Sequence, residues 1–165
     1  MSKGADLDGA YLALRFRYEP DTGRFFRVPR KGRPEVEAKS EGNNHRGYRK
    51  FKVGGKKYYA HRIAWALTYG SVSGSVCIDH INRDRADNRL SNLRIATDSQ
   101  NCANRLYNRE GLKGAYYNQQ MKKWVSYIGS ARKKYYVGTF DTEAEANEAY
   151  LSAARKMFGE FARAA

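Results

Sequence analysis

Residues 78–105 read IDHINRDRADNRLSNLRIATDSQNCANR, and the reading of this stretch decides the fold around it. Ile78 leads into Asp79-His80 as the end of a strand. A polar loop with Asn82, Asn88 and Asn92 follows, and Leu93 to Ala96 read as a second strand. Thr97-Asp98-Ser99-Gln100 is a capping box, with Thr97 as N-cap and Gln100 at the third helical position. Asn101 therefore falls in the first turns of a helix. A carboxylate, an imidazole and two carboxamides are gathered in one short segment.

Cutting a phosphodiester needs an activated water, a cation on the scissile phosphate and a stabilised leaving oxygen. Asp79 is a hard oxygen donor suited to Mg²⁺. His80 titrates near neutral pH and can take a proton from water. Asn101 can supply a neutral oxygen ligand. Asn92 is spaced either to hold the His80 ring or to brace the loop. Arg83, Arg85 and Arg89 in the same loop suit phosphate oxygens. Each residue also has a structural reading: Asp-His pairs are common, and asparagines favour turns whatever the function.

The composition narrows the partner. The chain of 165 residues carries a net charge of +14, and its pI is about 9.9. Such a balance points to a polyanion. Nucleic acid is favoured over a membrane surface, because there is no long apolar run, signal peptide or lipidation motif. Basic residues alternate with aromatics, including 13 tyrosines that can stack on bases or donate to phosphate. The two cysteines, Cys77 and Cys102, make no Cys-x-x-Cys pair, so a zinc knuckle is not expected and a reducing cytoplasm is the simplest compartment.

Outward from the central stretch, the elements are set by turns and caps. Residues 1 to about 10 carry no periodic pattern and read as frayed. Glu19-Pro20-Asp21-Thr22-Gly23 separates two aromatic-rich runs within 11–27, a hairpin signature. Residues 28–46 read as a polar, basic loop containing His45. Gly54-Gly55 joins a second hairpin over 48–59. A short buried helix runs from His61 to Tyr69 and ends at Gly70. His61 begins it and suits a structural or phosphate-contacting role outside the catalytic set. Asn108-Arg109-Glu110-Gly111 reads as a linker. Three short strands follow, over 114–118, 123–128 and 134–139. Thr142 to Glu145 form a second capping box, which opens a helix to about Phe158 with Ala146, Ala149, Tyr150, Ala153 and Met157 on one stripe.

The stretches HRIAWALTYG and IDHINRDRADNRLSNLRIATDSQN resemble the HNH homing endonucleases of phages and their free-standing relatives. The resemblance covers about Tyr48 to Arg105. It implies a ββα-metal core in which Asp79 and Asn101 bind the metal, His80 is the general base and Asn92 supports it. Asn101 stands where the family name has its second His, which implies one hard ion, Mg²⁺ or Mn²⁺, per site. Residues 111–162 resemble the DNA-binding domain of the plant APETALA2 and ethylene-response factors. Lys113-Gly114, Lys123-Trp124, Val137 to Thr142 and the Ala-rich helix carry that likeness. It implies a three-stranded antiparallel sheet that reads duplex DNA, backed by one helix.

Strand alternation divides that sheet. Trp124, Ser126, Ile128, Ala115, Tyr117, Tyr135 and Val137 are expected against the helix. Lys113, Tyr116, Asn118, Lys123, Tyr127, Lys134 and Tyr136 are expected on the DNA-facing side. A one-residue slip would exchange the faces.

The expected protein is α+β: an N-terminal β-hairpin region over 1–60, an HNH nuclease core over 61–108 and the APETALA2-type domain over 111–163. Its expected activity is metal-dependent hydrolysis of double-stranded DNA, as a site-specific nicking or homing endonuclease. It is expected to act as a monomer, without membrane or organic cofactor, in the cytoplasm (the bacterial host's, if phage-encoded). The alternatives are a non-catalytic DNA-binding regulator retaining an HNH-like core, and a structure-specific or RNA-directed nuclease.

Overall fold

Side-chain caps and glycine turns fix the local elements before any long-range packing. A computed structural model describes residues 6–29, 31–40, 47–104, 111–131 and 133–162. His45 and the expected linker residues 108–110 lie outside the described residues. The elements in order are β1 (Leu7–Asp8), α1 (Gly9–Ala13), β2 (Phe16–Glu19), β3 (Arg24–Arg27), β4 (Val36–Glu37), β5 (Lys50–Val53), β6 (Lys56–Tyr59), α2 (Ala60–Tyr69), β7 (Ser71–Val72), β8 (Cys77–His80), β9 (Leu93–Ala96), α3 (Asp98–Ala103), β10 (Ala115–Asn118), β11 (Lys123–Ser130), β12 (Lys133–Phe140) and α4 (Glu143–Phe158). The fold is α+β, and the chain divides into two compact units between Ile95 and Ala96. Among the described residues no helix is long and apolar enough to cross a membrane.

In the first unit, β2 and β3 form the expected hairpin, with Phe16 opposite Arg27 and Glu19 opposite Arg24. The short β4 adds to it, pairing Phe26 with Glu37. The second hairpin, β5–β6, turns on Gly54 and Gly55 at φ +55° and +80°. Both glycines thus occupy the left-handed region that a two-residue hairpin turn demands. The expectation of a frayed start fails from Leu7 onward, residues 1–5 lying outside the described residues. Leu7–Asp8 pair with Ser71–Val72, and Asp8 caps α1 by accepting from the Ala10 amide. Leu7 and Leu12 are buried. Gly9 is required there, because a Cβ would lie 2.2 Å from the Ala66 carbonyl oxygen.

Phe16, Phe25 and Phe51 meet in the core, the last two with ring centroids 4.9 Å apart. Burying each such side chain is worth about 1.5–3 kcal/mol. The same core takes in Ala60, Ile63, Ala64 and Ala66 of α2, together with Ile78 and Leu93. Both hairpins and the Asp79-His80 segment therefore share one core. Arg62 of α2 donates to the carbonyls of Ser73 and Val76, at 2.8 and 2.7 Å, and so holds the loop that feeds β8.

In the second unit, the Thr97 capping box is complete. The Gln100 amide donates to Thr97 Oγ1, and the Thr97 amide donates to Gln100 Oε1. Strands β10, β11 and β12 form a three-stranded antiparallel sheet. Helix α4 opens on the expected Thr142–Glu145 box. Ala115, Ser126 and Ile128 are buried, and Val137 packs with Ile128, Ala154 and Phe158. Two expectations for this face fail: Tyr117 and Tyr135 remain 47% and 44% exposed. A register shift after Ser126 contributes. Ser126 pairs with Gly138 but Tyr127 with Tyr136, leaving Val137 as an extra residue. On α4 the buried stripe is Ala146, Ala154 and Phe158, flanked by Tyr150 and Ala153. Met157, expected on it, is exposed.

Candidate active site

The loop between β8 and β9 has almost no regular structure, so side chains satisfy its backbone. Asn92 does most. Its Oδ1 accepts from the Asn82 amide at 2.9 Å, and its Nδ2 donates to the Asp87 carbonyl at 2.9 Å. Of the two geometries open for Asn92, bracing the loop is the one these bonds serve. Asn82 and Asp84 each accept from the amide two residues on. Asp87 receives the Arg89 guanidinium and Asn82 Nδ2. Those contacts, led by Arg89, lower the Asp87 carboxyl to about 2.

Asp79 and His80 end β8 and are both buried. Arg94 of β9 donates from Nε to Asp79 Oδ2 at 3.1 Å, a nearly buried ion pair. Removing one partner of such a pair typically costs about 3–5 kcal/mol, because the other charge stays behind without water. The His80 ring meets the His61 ring edge-on, with centroids 4.9 Å apart. Tyr48 lies 5.9 Å from His80, and Tyr59 stacks on His61 at 5.5 Å. Burial pushes the His80 imidazole below its ordinary range, while Asn88, Asp79, Asp84 and Asp87 act the other way. His61 is pushed well below, by burial first and then by His80 and Arg62. Both imidazoles are therefore neutral at neutral pH.

The three loop arginines differ. Arg89 is committed to Asp87. Arg85 lies over the Tyr48 ring at 5.0 Å. Arg83 sits at φ +68° in the turn after His80. One of its guanidinium nitrogens, Nη1, is buried with no hydrogen-bond partner. On the N-terminal hairpin, Arg17 pairs with Glu19 and Glu35, and Arg24 pairs with Glu37. Much of that hairpin's positive charge is thus internally neutralised. Arg15, Arg27 and Arg33 line an open cleft beside it with Leu14, Val28 and Pro29.

Asn101 lies in α3 of the second unit. On the sheet of that unit, Tyr116, Tyr127, Lys134 and Tyr136 are exposed as expected. Lys113 is not. It is buried, and its Nζ donates to the Ala103 carbonyl at the end of α3. Counted from Tyr116 and Asn118, alternation places Lys113 with Ala115 on the opposite face, and both are buried. Asn118 spends its Oδ1 on the amides of Gln120 and Met121, and Lys123 pairs with Asp141. Sequence reasoning missed Arg94 as a partner of Asp79, and Asn88 as a residue facing the His80 ring nitrogen.

The two-stranded sheet β8–β9, whose first strand ends in Asp79-His80, is followed in the chain by the capped helix α3. Residues 58–103 match the family model described as HNH endonuclease. The chain is also 31% identical over 109 residues to an uncharacterised HNH endonuclease of Acanthamoeba polyphaga mimivirus. That match covers 64% of this chain and 56% of the viral protein, so the chain spans about half the length of that relative. No solved structure matches the chain significantly.

Proposed function

We propose that the protein is a metal-dependent endonuclease of double-stranded DNA. The observation that carries this reading is the buried Asp79–Arg94 pair beside a His80 that burial keeps unprotonated, within the matched HNH segment. A neutral imidazole can accept a proton from water at neutral pH; a protonated one cannot.

Asp79 and Asn101 would be the protein ligands of the divalent cation. Among the described residues no three His, Cys, Asp or Glu gather into a closed cage. One carboxylate and one carboxamide leave most of the coordination to water and phosphate, which suits a hard ion such as Mg²⁺ or Mn²⁺. When bound, the cation supplies positive charge to the scissile phosphate and the leaving oxygen. His80 takes a proton from the attacking water, whose oxygen bonds to phosphorus as the bond to the 3′ oxygen breaks. Arg83, with its unpartnered nitrogen, serves as the loop's phosphate contact.

The second unit supplies affinity. Tyr116, Tyr127, Lys134 and Tyr136 would lie on the duplex, in the manner implied by the likeness to the APETALA2-type domain. Nicking at a moderately specific site, as in homing, is the finer form of the proposal. Plasmid cleavage with Mg²⁺ tests it, with and without EDTA, for wild type and His80→Ala checked for folding by circular dichroism. The expected result is Mg²⁺-dependent cutting that His80→Ala loses by at least about 100-fold, within the range of general-base contributions. Equal cutting by His80→Ala, or no cutting of any DNA, would sink it.

A further inference from the structure

The tip of the N-terminal hairpin touches the active-site loop at the Asn88–Leu90 segment. Tyr18 donates its hydroxyl to the Asn88 carbonyl at 2.7 Å. The Leu90 amide donates to the Pro20 carbonyl at 2.9 Å. Gly23, at φ +68°, lies so close that a Cβ there would sit 2.7 Å from the Arg89 nitrogen and 2.8 Å from the Asn88 carbonyl carbon. This clamp leaves Asn88 only 2% exposed.

Asn88 in turn faces His80. Its Nδ2 donates to the Ala86 carbonyl at 2.8 Å, which fixes which end of the carboxamide is oxygen. That oxygen, Oδ1, lies 3.4 Å from His80 Nε2. A carbonyl oxygen can only accept, so the neutral imidazole facing it must carry its hydrogen on Nε2. The lone pair then resides on Nδ1.

We propose that Asn88 is the positioning residue of the general base: it selects the Nε2–H tautomer of His80, and the Tyr18–Gly23 hairpin tip holds Asn88 in place to do so. The proposal rests on the nuclease reading for its consequence in catalysis, while the tautomer itself can be observed without any DNA. It also gives the N-terminal hairpin a role inside the active site, although the hairpin lies outside the matched segment 58–103.

The test is long-range ¹H–¹⁵N spectroscopy of the histidine rings in the full chain at alkaline pH. Only three histidines are present, so His80 is assigned by comparison with His80→Ala. Wild type should show the pure Nε2–H form. Asn88→Leu, which keeps bulk but no acceptor, should lose that single form. Its kcat should fall about 10- to 100-fold, the usual cost of losing a group that orients a functional imidazole, with KM changed less than about twofold. Asn88→Asp keeps the acceptor and should restore the Nε2–H form and most of the rate. Tyr18→Phe, which leaves Asn88 itself intact, should give a mixture of tautomers and an intermediate kcat. An Nδ1–H ring in the wild type overturns the proposal. So does an unchanged tautomer in both Asn88→Leu and Tyr18→Phe. Should Asn88→Leu fail to fold, Asn88→Asp and Tyr18→Phe decide by the same two readouts. If no DNA is cut, the nuclease reading fails while the tautomer measurement still decides the role of Asn88.

Discussion

Lowering the pH from 7.5 to 5.5 should destabilise the first unit through His61, by an amount the structure bounds. The His61 ring is walled by Tyr48, Tyr59 and His80. Burial leads the forces that push its pKa well below 6.5, and the neighbouring charges of His80 and Arg62 act in the same direction. In the unfolded chain the ring takes its proton near 6.5; in the folded chain it does so only at much lower pH. Between those values the unfolded state binds one more proton, so stability falls with falling pH by about 1.4 kcal/mol per unit. The full stability is present above pH 6.5 and is lost as pH drops toward the folded pKa. Integrated from pH 7.5 to 5.5, the loss from this one site is about 1.4 kcal/mol. His61→Phe keeps an aromatic ring among the tyrosines but cannot titrate. Urea unfolding at fixed ionic strength measures the difference, read on Trp65 fluorescence in a Trp124→Phe background. Wild type should lose about 1.4 kcal/mol more than His61→Phe over this range. Parallel pH profiles, or a wild type that gains on the variant as pH falls, would refute the reasoning.

Arg94→Met should cost about 3 kcal/mol or more, since Asp79 is left buried without its cation; chemical denaturation measures it, and an effect under about 1 kcal/mol would show the pair to be solvated. Thr97→Ala should remove about 1 kcal/mol, the usual worth of an N-cap, and Thr97→Ser should restore most of it. Duplex binding should weaken steeply with salt. Lys134→Ala should flatten that salt slope by about 1 whereas Lys113→Met should leave the slope unchanged and lower stability, a pattern read from filter-binding titrations at several salt concentrations.

What the sequence made legible is what neighbouring residues decide among themselves. Gly54-Gly55 demands a tight hairpin wherever it lies, and both glycines take positive φ. The Thr97 and Thr142 boxes need only residues three apart, and both form in full. The Asp79-His80 placement followed from apolar runs on either side of a polar loop. The rest depended on partners remote in sequence. Lys113 was assigned outward on its charge, against the alternation that places it with Ala115. Its burial depends on a carbonyl at Ala103 that no local pattern reveals. Leu7 to Ala13 make a two-residue strand and a five-residue helix, too short to show any period. Asn88 was hidden by its own suitability as a turn former, because a residue that suits a loop gives no sign that its side chain faces a ring eight positions back.

The same distinction bears on what the HNH segment can do alone. Of the largest fully buried apolar side chains in the first unit, Phe16, Phe25, Phe51 and Leu12 precede residue 58, and only Ile63 lies within the matched segment. At about 1.5–3 kcal/mol each, those four contribute roughly 6–12 kcal/mol, comparable with the whole net stability of an ordinary domain. Strands β8 and β9 bring Ile78 and Leu93 to this core but cannot close it. The Asp79–Arg94 pair and the neutral His80 both need a dry site, and the aromatic hairpins help to keep it dry. The residues that would do the chemistry and those that make it possible therefore lie in different parts of the chain. A family match over 58–103 marks the first group and is silent about the second.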